Sequence, residues 1–279
     1  MFTFNCKGRL LLWDRPQVMG IINATPDSFY AGSRYEGEVA ILEQATSMLM
    51  NGADILDIGG QSTRPGSGQV DTATEISRVV SAIEAIKIRF PDAVISIDTY
   101  RAEVAAAAVS AGASMVNDVS GGDLDREMIP MVAKLNVPYV CMHMRGNPEN
   151  MATLHQYGDV ATEVLEQLMK KLQLCRESGI ADVIIDPGFG FAKNIDQNFE
   201  LLRKLEVFKI AEVPLLVGIS RKSMIYQTLH ISPEESLTGT IALNMYALER
   251  GADILRVHDV KEARQLVTLY CKVSGNNAA

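Results

Sequence analysis

Eight short runs along the chain are apolar almost without interruption: 18–22, 55–58, 94–97, 114–116, 138–142, 183–185, 215–219 and 254–257. Parallel strands buried on both faces read this way, whereas half-exposed strands alternate. Between the runs stand stretches with apolar residues at helical spacing, among them 39–50, 101–110 and 238–249. A repeated phrase marks several junctions. Asn51-Gly-Ala-Asp-Ile-Leu-Asp57 and Arg250-Gly-Ala-Asp-Ile-Leu-Arg256 share five consecutive residues, and Ala111-Gly-Ala-Ser-Met-Val-Asn117 is a looser copy. In each copy a glycine that can take the left-handed conformation ends a helix, and a strand begins directly after it.

Eight strands, each followed by a helix, predict an α/β fold of the (β/α)8 TIM-barrel type, in one domain spanning 1–279; an open doubly wound sheet is the alternative. Residues 1–12 precede the first barrel strand, and the turn signal Lys7-Gly8 predicts a hairpin across the bottom of the barrel.

Composition narrows the function. With 47% hydrophobic and 22% charged residues the chain has the balance of a folded protein, not a disordered one. Its 26 Lys and Arg against 34 Asp and Glu leave a net charge of −8, which argues against nucleic acid as a partner. Residues 104–117 carry no charge but fall short of the roughly 18 apolar residues of a membrane helix. The N-terminus lacks the apolar core of a secretory signal. The four cysteines, Cys6, Cys141, Cys175 and Cys271, form no CxxC pair and suggest neither a zinc site nor a disulfide framework. The expected location is a reducing cytoplasm.

In a barrel of this kind the C-terminal ends of the strands face the catalytic mouth. The residues there are polar in every strand: Asn23, Asp57, Asp98, Asn117 with Asp118, His143, Asp186, Ser220 with Arg221 and Lys222, and Arg256 with His258. Asp98, Asn117 and Asp186 offer a donor and acceptor pattern suited to a flat nitrogen heterocycle, with Lys222 placed for its exocyclic oxygen. A carboxylate accepts two parallel hydrogen bonds from an amino group and an adjacent ring N–H, as a 2-aminopyrimidinone presents them. The alternative is an ordinary Asp–Lys salt bridge. A second, cationic and hydroxylic set, Ser62-Thr-Arg-Pro-Gly66 with Arg256 and His258, suits an anion such as phosphate; the alternative pairs Arg256 and His258 with Asp253, Asp259 or Glu262. Two loops rich in glycine and proline, 24–37 and 61–70, read as lids. Phe189 and Phe191 stand beside Asp186, either to stack on a ring or to fill the core.

Taken in order, Gly20-Ile-Ile-Asn-Ala-Thr-Pro-Asp-Ser-Phe29, Asp57-Ile-Gly-Gly-Gln-Ser-Thr-Arg-Pro-Gly66, Ser96-Ile-Asp-Thr99 and Asn117-Asp-Val-Ser-Gly121 resemble the signatures of the dihydropteroate synthase family. Met142-His-Met-Arg-Gly146, Asp186-Pro-Gly-Phe-Gly-Phe-Ala-Lys193, Gly218-Ile-Ser-Arg-Lys222 and Arg256-Val-His-Asp-Val260 resemble its remaining motifs. The resemblance implies a barrel that joins 6-hydroxymethyl-7,8-dihydropterin diphosphate to 4-aminobenzoate in folate synthesis, with loss of pyrophosphate. Carried over motif by motif, Asp98, Asn117, Met142, Asp186, Phe191, Gly218 and Lys222 would hold the pterin. Asn23, Thr63, Arg256 and His258 would hold the diphosphate, Asn23 also ligating Mg²⁺. Phe29, Arg64, Pro65, Phe189, Lys222 and Ser223 would surround the aminobenzoate. Lys222, Arg256, Asp98 and Asp186 are the residues expected to carry the chemistry. Sulfonamides would be inhibitors, and the chain would form a homodimer through its late helices. Two departures stand out: Ala31 replaces an acidic loop residue, and Ala192 replaces a glycine. A methyltetrahydrofolate-dependent methyltransferase, a Schiff-base aldolase using Lys222, and a pterin-binding protein without turnover are the competing readings.

Overall fold

The computed structural model describes residues 2–24, 34–61, 70–147 and 150–275. The chain opens with β1 (Phe2–Cys6) and β2 (Arg9–Trp13), an antiparallel hairpin. Lys7 and Gly8, at its turn, both have positive φ, the pairing that matches the right-handed twist of two adjacent strands. Eight parallel strands follow: β3 (Gln17–Asn23), β4 (Ile55–Gly59), β5 (Val94–Asp98), β6 (Met115–Asp118), β7 (Tyr139–Met142), β8 (Val183–Asp186), β9 (Leu216–Val217) and β10 (Ile254–Val257). They pair in chain order from β3 to β8, and β9 pairs with β10, which returns to β3. A single parallel bridge between Ile185 and Leu215 joins β8 to the start of the β9 run, closing the ring. The arrangement is therefore a barrel and not an open sheet.

Helices α1 (Arg34–Met50), α2 (Thr72–Arg89), α3 (Ala102–Ala111), α4 (Met128–Leu135), α5 (Val160–Glu177) and α6 (Ile195–Arg203) each follow one strand from β3 to β8. Two helices, α7 (Ser223–Leu229) and α8 (Leu237–Glu249), follow β9, and α9 (Val260–Val273) follows β10. Gly52, Gly112 and Gly251, the glycines of the repeated phrase, have φ of +93°, +125° and +98° and end α1, α3 and α8. Helix α1 begins at Arg34, so the loop expected over 24–37 is shorter at its end, with Gly37 inside the helix where an interior glycine is tolerated at about 1 kcal/mol.

Two apolar layers follow from the twofold alternation of a strand. Residues facing the helices, such as Val18, Leu56, Ile95, Val116 and Val217, build the layer between barrel and helices. Residues facing inward, Met19, Ile55, Met115, Val140, Ile184, Leu216 and Ile254, fill the lower barrel, where Phe4, Cys6 and Trp13 of the hairpin pack against them. The hairpin thus caps the N-terminal ends of the strands, with the Phe4 and Trp13 rings 4.1 Å apart. No helix among the described residues is long and apolar enough to cross a membrane.

Candidate active site

The same alternation that fills the lower barrel builds the mouth. Two residues beyond Ile55, Met115, Val140, Ile184, Leu216 and Ile254 stand Asp57, Asn117, Met142, Asp186, Gly218 and Arg256, all on the inward side. Asn23 and Asp98 lie on the same inward side of β3 and β5, four residues beyond Met19 and Val94, and His258 lies two residues past Arg256. On β4, β6, β8 and β10 one inward step therefore changes an apolar plug into a polar floor.

Arg256 organises that floor. Its Nε donates to Asp57 Oδ2 at 2.6 Å and its Nη2 to Asp98 Oδ2 at 2.6 Å. Asn117 Nδ2 donates to the same Asp57 Oδ2 at 2.9 Å. Arg256 thus takes carboxylates from strands β4 and β5, not Asp253, Asp259 or Glu262. Asp259 instead forms a fork with Arg221, accepting from Nε at 3.0 Å and from Nη2 at 2.5 Å. The other oxygens of the two floor carboxylates, Asp57 Oδ1 and Asp98 Oδ1, are buried and have no hydrogen-bond partner among the described residues. A buried acceptor left unmatched costs about 1–3 kcal/mol, so a donor brought to either atom would be favoured. Burial pushes the Asp98 carboxyl up to about 7, outweighing the attraction of Arg256. Burial also depresses Arg256, but Asp57 and Asp98 more than compensate, so its proton is held more tightly than usual.

Across the mouth, Asp186 ends β8 and Lys222 follows the β9 run. Burial raises Asp186, with Lys222 opposing, and burial lowers Lys222 to about 8, with Asp186 opposing. Lys222 Nζ donates to the Phe189 carbonyl oxygen and lies 4.7 Å from the centre of the Phe191 ring. Phe191 is half-buried against Met142, Met144, Met151, Val119 and Ala192, an apolar wall on one side of the mouth. Phe189, expected beside the aminobenzoate, is corrected by the structure: its ring is fully buried in the layer between barrel and helices. Gly188 and Gly190 flank it with positive φ, and this twist sends consecutive aromatic side chains to opposite sides.

Ser220 orients His258, its Oγ accepting from the His258 backbone N–H at 3.2 Å and lying 3.1 Å from Nδ1. Ser223 is half-buried at the first position of α7, and Gly218 leaves its sector of the floor without a side chain. Phe29, Thr63, Arg64 and Pro65, with Ala31, lie outside the described residues, as does most of each expected lid. Asp57 and Ser220, visible in the sequence as strand-end polar residues but given no role there, prove to set the orientation of Arg256 and His258. The spacing Ile55 to Asp57, matching Ile254 to Arg256, is the signal that could have found Asp57.

Comparison with known proteins places this geometry. A family model described as pterin binding enzyme matches residues 19–258. A dihydropteroate synthase of Synechocystis sp. is 44% identical over 263 residues, covering 93% of this chain and 89% of that protein. Two solved structures share the fold. The dihydropteroate synthase of Xanthomonas albilineans with 4-aminobenzoic acid superposes with a TM-score of 0.91 at 39% identity, over 98% of both chains. That of Yersinia pestis with a sulfonamide drug complex has a TM-score of 0.91 at 38% identity, over 99% of this chain and 100% of the other. Shared sequence over nine-tenths of its length and a shared barrel over nearly all of it place this chain in the pterin binding enzyme family, as one of its dihydropteroate synthases.

Proposed function

We propose that this transferase joins 6-hydroxymethyl-7,8-dihydropterin diphosphate to 4-aminobenzoate by a displacement in which the bond to the leaving pyrophosphate breaks ahead of attack. The observation that carries the site assignment is the pair of unpartnered carboxylate oxygens on Asp57 and Asp98 beside Arg256. An amino-substituted ring brings adjacent N–H donors of the kind such oxygens lack. In this reading Asp98, Asn117, Asp186 and Lys222 hold the pterin, with Met142 and Phe191 as its apolar wall and Gly218 leaving it room. Asn23, Thr63, Arg256 and His258 hold the diphosphate. Ser223, Phe29, Arg64 and Pro65, with Lys222, surround the aminobenzoate, and sulfonamides compete for that position.

The aniline nitrogen is a modest nucleophile, so rate is gained by favouring departure of pyrophosphate and tolerating positive charge at the pterin methylene. Arg256, held at both ends by carboxylates, is preorganised to meet the negative charge that develops on the departing oxygen. The electron-rich pterin shares the positive charge, and Asp186 and Asp98 favour that distribution electrostatically. The aniline nitrogen then attacks and releases its proton to solvent, with no covalent bond to the protein.

The donor set around Asn23 fits an ion carried by the substrate. Asn23 offers one neutral amide oxygen, and no cluster of three His, Cys, Asp or Glu that could hold a metal occurs among the described residues. Mg²⁺ commonly combines one or two protein oxygens with substrate phosphates and water. Bound there with Asn23 as its protein ligand, Mg²⁺ would supply charge neutralisation on the leaving group. The same reading takes the protein as a cytoplasmic homodimer.

The test is pyrophosphate release with each substrate alone and with both. Release is expected only with both, lost on chelation and restored by Mg²⁺. Pyrophosphate release that ignores aminobenzoate would refute the condensation, and release that survives exhaustive chelation would remove Mg²⁺ from it.

A further inference from the structure

The segment between β8 and α6 alternates in handedness. Gly188, Gly190 and Ala192 have φ of +70°, +79° and +50°, so successive carbonyls turn to opposite sides. Two lysines use those carbonyls from two directions. Lys222 Nζ takes the Phe189 carbonyl on the mouth side. Lys193 Nζ donates to the Gly188 carbonyl at 2.9 Å and to the Phe191 carbonyl at 3.0 Å. A third contact, at 3.1 Å, joins Lys193 Nζ to Nδ1 of His143. His143 is fully buried, and its Nε2 lies 3.1 Å from Gln167 Oε1. Because Oε1 only accepts, Nε2 carries the ring proton and Nδ1 is left as an acceptor. Lys193, 9% exposed, therefore has three acceptors around its Nζ.

We propose that Lys193 is a positioning residue for the reaction: it holds the 186–192 segment in shape so that Lys222 can leave the Phe189 carbonyl for the substrate. The inference rests on Lys222 binding the pterin, as assigned above. In the free protein the segment is held from both sides. A ligand that recruits Lys222 removes one of the two lysines that grip its carbonyls at the moment when the segment has most to do. Asp186 Oδ1 accepts the Gly188 N–H at 2.8 Å, so a shift at Gly188 carries the pterin-binding carboxylate with it. Phe191, tied by its carbonyl, carries the apolar wall.

Left-handed backbone at a residue other than glycine persists only where its surroundings impose it, and Ala192 is such a residue. Asn198 supports the segment from α6, accepting the Gly190 N–H at 2.7 Å and donating to the Lys193 carbonyl at 3.3 Å. It reaches neither Gly188 nor Phe191; apart from the turn bond from the Phe191 N–H to the Gly188 carbonyl at 3.2 Å, the carbonyls of those two residues are held by Lys193. Methionine at 193 would keep the stem and leave the Phe191 carbonyl and His143 Nδ1 without their donor, with the Gly188 carbonyl keeping only the Phe191 N–H at 3.2 Å.

The experiment compares wild type with Lys193→Met, His143→Leu and His143→Asn. Asparagine can present its oxygen where Nδ1 stood, and leucine cannot. Steady-state KM and kcat for both substrates, calorimetric affinity for the pterin diphosphate and thermal unfolding are measured together. Lys193→Met should raise both KM values and the pterin Kd about tenfold, with saturated kcat reduced less than about threefold. His143→Leu should move in the same direction, and His143→Asn should restore most of the loss. A purely structural lysine would lower Tm and leave KM and Kd at wild-type values, and that result overturns the proposal. Should Lys193→Met fail to fold, the two His143 variants decide: equal KM values in both overturn it, and a rise in leucine reversed by asparagine supports it. Wild-type protein without turnover would refute the functional assignment instead, a distinct outcome.

Discussion

Asp98 sits between two opposing influences, burial that favours its neutral form and Arg256 that favours the carboxylate. With its carboxyl near 7 and the Lys222 amine near 8, the two groups titrate on either side of a narrow window. A ring N–H needs the ionised carboxylate, so pterin binding should weaken as pH falls through 7, approaching tenfold per unit below it. The pterin carbonyl is best served by the charged amine, so binding should weaken again as pH rises through 8. The expected profile of kcat/KM for pterin diphosphate is a bell whose acid limb belongs to Asp98. Asp98→Asn should abolish that limb while retaining the alkaline one; an acid limb that survives the substitution would assign it to another group. At this scale the candidate residues were legible because strand ends announce themselves by polarity. Their pairing was not, because Arg256 and Asp57 stand 199 residues apart and nothing local in either stretch names the other. Phe189 and Phe191 show the same limit: only the backbone twist between them decides which ring faces the mouth.

At the scale of elements, all eight barrel strands could be read because burial on both faces leaves a continuous apolar signature. The run at 215–219 nevertheless yields only Leu216–Val217 as strand, since ladder length depends on the neighbours' register and not on the run itself. Helix α8 departs most from ordinary patterning. Apart from Glu249 it carries no charge, and its polar Thr240 and Asn244 point inward, buried, while Ile241 and Met245 remain half-exposed and Ala242 exposed. Ile241 and Met245 also pack against the core, and this outer face, uncharged before Glu249, is where the proposed homodimer would make its contact. The wild-type protein should therefore sediment at twice the 30.5 kDa of the chain. Ala242→Glu, which would desolvate a charge at that contact, should shift it to the monomer with the barrel intact. A monomeric wild type would rule out this face as a dimer contact.

For the whole molecule, strength is unevenly distributed around the ring. Strands β3 and β4 align over five residue pairs, as do β4 and β5, whereas β9 has two pairs with β10 and β8 reaches its run through one bridge. Local opening concentrates where ladder hydrogen bonds are fewest, so amides at 215–219 should exchange fastest among the barrel strands. Pterin diphosphate should slow them, as followed by hydrogen–deuterium exchange; protection unchanged by ligand would show the joint to be rigid already. Asp186 stands on one bank of that joint and Lys222 on the other. A substrate that touches both is then a rivet, clamping a hoop at its one loose stave, and the loaded enzyme is mechanically a stiffer object than the empty one. Compounds that grip only the Asp98 and Asn117 side would fill the same mouth and leave the hoop slack, so two inhibitors of equal affinity would differ in how long the protein survives heating.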